Sequence, residues 1–91
     1  MLDIGGSVGA GLVYFDGQFD GVEVDIRPAG GVWDGTHTAV RERRLPAGSV
    51  YAALFQSLPE GQYEIRLRPP ASGGRRATLE VEGGRVTELW W

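Results

Sequence analysis

His37 is the only histidine in the 91-residue chain and follows Asp34 by three residues in Trp33-Asp34-Gly35-Thr36-His37. An imidazole with a nearby carboxylate is the start of a metal site or a general base, if another strand supplies a further carboxylate. Hydrolysis by a triad needs a nucleophile as well. Serines stand only at 7, 49, 57 and 72, none in a Gly-x-Ser-x-Gly elbow, and there is no cysteine. A lone histidine without a spaced partner fits a sheet-edge residue, solvated or bonded to a neighbour, better than a ligand. No catalytic residue, metal or cofactor is therefore assigned. A small hydrolase or metal-dependent enzyme centred on His37 with Asp34 stands as the alternative.

Two other patterns carry less. Gly5-Gly6-Ser7-Val8-Gly9-Ala10-Gly11 has the glycines of a phosphate-cradling loop, but such loops lead into a helix and use a lysine. Here a strand pattern follows and all nine basic residues are arginine. Asp16, Asp20 and Asp25 do not have the spacing of a helix-flanked calcium loop, and aspartate is common in turns.

Aromatic and arginine residues are the better leads. Trp33 lies in the glycine-rich loop Ala29–Gly35, and Trp90 and Trp91 are adjacent. Neighbouring side chains of a strand point to opposite faces, so Trp90 and Trp91 cannot share one core. One is exposed or covered by another molecule, which suits a protein interface or sugar stacking. The simpler alternative has Trp33 and one of the pair capping the open ends of the fold. Arg41, Arg43, Arg44, Arg66 and Arg68 are expected on adjacent outer faces. There they could hold a phosphate or carboxylate, or pair with Glu42, Glu64, Glu80 and Glu82. The candidate binding residues are Trp33, Asp34, His37, Arg41, Arg43, Trp90 and Trp91.

The elements that position these residues read as strands. Val22–Arg27, Tyr63–Arg68 and Ala77–Glu82 each alternate apolar and charged residues, giving one buried and one wet face. Val8–Phe15 is apolar on both faces, as a strand covered on both sides or packed at an edge would be. Thr36–Leu45 is charged and reads as a sheet edge. Val50–Leu58 reads as a central strand with a short helix as the alternative, and Val86–Trp91 is the last strand. Asp16-Gly17, Asp20-Gly21, Pro46-Ala47-Gly48 and Pro59-Glu60-Gly61 are turn sequences. Gly83-Gly84 is the clearest hairpin signal, and Pro69–Arg76 is a longer loop. The expectation is all-β: a single domain over 1–91, residues 1–7 a flexible lead-in, folded as an antiparallel sandwich or small barrel of about seven strands.

Composition narrows the partners. A net charge of −3 lacks the positive field that nucleic acid or an anionic membrane attracts. No apolar run approaches a membrane span, and the N-terminal residues lack a secretory pattern, so a soluble cytoplasmic protein is expected. The expected role is a non-catalytic binding module that engages a protein partner or a second copy, with a small-molecule or sugar ligand through an exposed tryptophan, Trp33 foremost, as a further option.

Residues Phe55-Gln56-Ser57-Leu58-Pro59-Glu60-Gly61-Gln62-Tyr63-Glu64-Ile65-Arg66-Leu67 and Ala77-Thr78-Leu79-Glu80-Val81-Glu82-Gly83-Gly84-Arg85-Val86-Thr87 resemble the carboxypeptidase-regulatory or transthyretin-like domain. The resemblance covers roughly residues 50 to 90. It implies a prealbumin-like sandwich in which Pro59 and Gly61 make a turn, a last hairpin follows, and Tyr63 enters the core while its hydroxyl caps a backbone group. Such domains serve as accessory, adhesive and ligand-binding units. Thr36-His37-Thr38-Ala39-Val40-Arg41-Glu42-Arg43 is also similar to a run in small uncharacterised bacterial proteins. Some of those carry a phospholipase label, which would need reactive residues that this sequence lacks.

Overall fold

Alternation is the reason the chain folds as it does. In the computed structural model, which describes residues 5–68 and 75–91, eight strands form two packed four-stranded sheets. In chain order they are β1 (Val8–Phe15), β2 (Glu23–Pro28), β3 (His37–Ala39), β4 (Arg41–Leu45), β5 (Gly48–Pro59), β6 (Gly61–Leu67), β7 (Arg76–Val81) and β8 (Val86–Trp90). The first sheet has the order β4-β5-β1-β8 and the second β3-β2-β6-β7.

Every second residue of β2, β6 and β7 enters the space between the sheets. Val24, Ile26, Tyr63, Ile65, Leu67, Leu79 and Val81 are buried there against Val13, Phe15, Ala53 and Phe55 of the first sheet. Removing this apolar surface from water is the main stabilising term, at about 25 cal/mol per Å². Tyr63 closes the core at the β5–β6 turn, its hydroxyl donating to the Pro59 carbonyl at 2.6 Å.

Four expectations need correction. The edge run from Thr36 to Leu45 is two strands rather than one, because it breaks at Val40, and the total of eight fits the expected sandwich of about seven. Val40 is fully buried, and its backbone bonds to Val22 and Gly21 as the chain crosses from the second sheet to the first. Both halves do lie on edges: β3 borders the second sheet and β4 the first.

The Gly83-Gly84 turn does not close a hairpin, since β7 belongs to the second sheet and β8 to the first. Gly84 has φ +73° and its N–H donates to Val8 O, while Gly83 lies so close to the Gly6 and Ser7 backbone that a Cβ has no room. The turn is pinned to the start of β1, so β8 runs beside β1 in the same direction. That pair is parallel, against the antiparallel expectation, while the other ladders are antiparallel. Finally, Arg41, Arg43 and Arg44 sit on β4, in a different sheet from Arg66 and Arg68; no shared outer face joins them.

Of the expected lead-in, residues 1–4 lie outside the described residues, whereas Gly5 and Val8 are doubly hydrogen-bonded and Ser7 O accepts from Glu60 N–H. The expected loop at 69–76 falls mostly outside the described residues, and Arg76 already begins β7.

Candidate functional site

The outer face of the second sheet holds Trp33 and His37, while Asp34 in the loop between them borders a cleft lined by Ile26, Thr36, Leu58 and Tyr63. Register places His37, Asp25 and Arg66 in one row across β3, β2 and β6. Asp25 is buried although it points outward, because Arg66 Nε (3.2 Å) and Arg68 Nε (2.9 Å) close over its two oxygens. A buried carboxylate is tolerable only with such partners. His37 is exposed, with Nδ1 2.8 Å from Arg68 Nη2 and Nε2 3.3 Å from Glu23 Oε1. Nδ1 also lies 2.8 Å from the Gly35 carbonyl oxygen, so both ring nitrogens already have partners within the protein.

Asp34 is turned to its own loop. It accepts the Thr36 N–H at 3.0 Å, and its contacts with Thr36, the side chain first, hold its carboxyl below the usual range. Trp33 folds back over the sheet, with the guanidiniums of Arg66, Arg27 and Arg76 at 4.2, 4.5 and 5.9 Å from the ring centroid. Each stack of this kind is worth about 0.5–1 kcal/mol at an exposed site. Arg27 also binds Glu64 at 2.7 Å, which keeps the Glu64 carboxyl below its ordinary value. Among the described residues no three His, Cys, Asp or Glu side chains converge to hold a metal ion. The chemistry available on this face is a mesh of ion pairs that braces the sheet.

The outer face of the first sheet differs. Pairing puts Arg41, Ala52, Tyr14 and Trp90 in one row across all four strands, with Leu54, Leu12 and Glu88 in the next. Arg43 and Val50 form a third row at one end, and Ala10 and Val86 pair at the other. The middle of this face is apolar on β5 and β1. Arginine lines one edge, and Glu88 with Trp90 lines the other. Trp90 is 73% exposed, its ring stacked on Tyr14 at a centroid distance of 4.5 Å. Tyr14 donates to the Glu88 carboxylate, and that hydrogen bond pushes the phenol up from its usual value.

Trp91 turns the other way and packs against the core, stacked on Phe15 at 5.5 Å. The two tryptophans therefore divide as strand alternation requires, Trp90 outward and Trp91 inward. The structure brings Arg41, Arg43 and Trp90 onto one face, sets Trp33 and His37 on the opposite one, and leaves Asp34 apart at the cleft beside Ile26 and Tyr63. Tyr14, Leu12, Leu54 and Glu88 complete the first face and escape a reading of single residues. The signal for them is the run Val8–Phe15, whose two apolar faces cannot both be the core. Among the described residues no helix is long and apolar enough to cross a membrane. A comparison of the chain with family models, curated proteins and solved structures finds no match.

Proposed function

We propose that this chain is a β-sandwich interaction module that pairs with a second copy of itself through the outer face of its first sheet. The observation that carries this reading is the placement of exposed apolar side chains. Among the described residues, Leu45 (54% exposed), Val86 (40%) and Trp90 (73%) stand on that face, leaving only Val32 elsewhere. Single apolar residues on a surface are ordinary, but a contiguous group over Leu12, Val50 and Leu54 is what interfaces use.

Charge selects the partner and its orientation. A two-fold axis parallel to the strands lays β4 of one copy over β8 of the other, bringing Arg41 over Trp90 and within one row of Glu88. An axis across the strands would set arginine against arginine. A self-complementary patch of this kind is the signature of a closed dimer. Four strands of about five residues make a face of roughly 19 by 17 Å. That is the small end of interface sizes, so the pairing is weak and concentration-dependent. Kinship with transthyretin-like sandwiches belongs to the same reading, supported by Leu58-Pro59-Glu60-Gly61-Gln62-Tyr63 and the Tyr63 bond to Pro59.

Sedimentation tests the proposal. The chain should show a concentration-dependent dimer, which Leu54→Glu abolishes without loss of fold. Arg41→Glu should weaken the dimer about tenfold, and adding Glu88→Arg should restore it. A strict monomer at hundreds of micromolar, or an association that Leu54→Glu leaves unchanged, overturns it.

A further inference from the structure

A cleft of about 230 Å³ opens where the end of β1, the single 3-10 turn Gly17–Phe19 and the end of β8 meet. Its walls are aromatic. Trp91 stacks on Phe15, Phe15 leans on Phe19 at 5.5 Å, and Trp90 closes one side. Its rim is polar and carries one carboxylate, one amide and one guanidinium: Asp16, Gln18 and Arg75. Asp16 precedes the 3-10 turn, yet its side chain does not cap it. That carboxylate is free of the task that aspartate usually performs at such a position.

The rim decides the class of ligand. An anion would face Asp16. A cation would face Arg75, whose guanidinium already lies 4.8 Å from the Trp91 ring centroid and binds the Trp91 main-chain oxygen. A neutral ring with an apolar face and a border of hydroxyls meets neither obstacle. Its C–H face lies against indole, while its hydroxyls donate to Asp16 and accept from Gln18 and Arg75. The volume is below the range of about 300–1,000 Å³ typical of drug-sized ligands, which leaves room for one such ring.

We infer that this cleft is a binding site for a single sugar ring of the pyranose type. The site borders the self-pairing face and shares Tyr14 and Trp90 with it, whereas Asp16, Gln18 and Trp91 lie outside that face. It also moves the sugar expectation from Trp33, whose ring faces three guanidiniums, to the Trp90–Trp91 end of the sandwich, where Trp90 keeps an exposed ring for stacking while Trp91 is held between Phe15 and Arg75.

The test is NMR titration of the ¹⁵N-labelled chain with the methyl glycosides of glucose, galactose, mannose and N-acetylglucosamine, each taken to tens of millimolar. At least one should shift the Trp91 indole N–H saturably while the Trp33 indole stays in place. Gln18→Ala, an exposed change on the turn, should weaken that titration about tenfold through the lost hydrogen bonds, and Trp33→Phe should leave it unchanged. The assignment is overturned if none of the four sugars moves Trp91, if the shifts report on Trp33, or if tetramethylammonium or benzoate moves Trp91 where the sugars do not.

Discussion

Asp25 and Glu64 show how charge is managed on the outer face of the second sheet. Asp25 is the buried charged residue among the described residues, and its two oxygens take guanidiniums from Arg66 on β6 and from Arg68 just past its end. Desolvating a carboxylate costs several kcal/mol, and one exposed contact would not offset it. Glu64 is wetter and is held by Arg27, which keeps its carboxyl below the ordinary range. A carboxyl lowered by folding contributes stability that is complete above the unfolded value, about 4.3 for glutamate, and lost as pH falls through the lower folded value. Glu64→Gln should therefore lower the neutral plateau slightly and flatten the acid limb of stability against pH in that window. Urea unfolding at a series of pH values reads this out, and an acid limb as steep as that of the parent chain would reject it. The alternation Tyr63–Arg68 put Glu64 and Arg66 on the wet face at once. Their partners were hidden, because Arg27 and Asp25 reach them only through the β2–β6 register.

Strands and turns fix the next level. β1 lies between β5 and β8 and carries two glycines, Gly9, which lets other backbone approach it, and Gly11, which makes room for the Leu79 side chain. A Cβ at Gly9 would run into the carbonyl oxygens of Glu82 and Arg85, where the chain passes between sheets. Backbone cannot swing aside as a side-chain tip can, so Gly9→Ala should cost about 2–3 kcal/mol. A urea midpoint that drops while the slope stays constant would register this, and an unchanged midpoint would show that the crossing is loose. The sequence marks β2, β6 and β7 plainly because each has one wet face. It misleads at Gly83-Gly84, where glycines that suit a hairpin serve a crossing between layers. It misleads also at Val40, a single buried residue within a charged run. Turn chemistry specifies local dihedrals; which sheet receives the next strand depends on contacts with residues far along the chain.

For the molecule as a whole, the two outer faces divide the labour. The face with Asp25, Glu64 and Trp33 is closed by its own ion pairs and stacked guanidiniums, whereas the face with Leu12, Leu54 and Trp90 has apolar area left over. A dimer formed on that face binds the folded chain and not the unfolded one, so mass action stabilises it. The melting temperature of the parent chain should then rise about 3 °C for each tenfold step in concentration above the dissociation constant. Leu54→Glu should remove that dependence. Scanning calorimetry at several concentrations decides it, and a concentration-independent melt in the parent chain would argue for a monomer.

What the sequence determined by itself is the period of two and all that follows from it. It determined an all-β chain, the identity of the core residues on β2, β6 and β7, and the separation of Trp90 from Trp91, because side-chain direction along a strand is a local property of the backbone. Only the tertiary structure decided which strands became neighbours. It placed Arg41 in the row of Trp90, put Arg66 in the other sheet, set β8 parallel to β1 and gathered Asp16, Gln18 and Arg75 at one end. Those relations come from packing two layers so that their apolar faces meet and few backbone groups are stranded, and no window of neighbouring residues contains them.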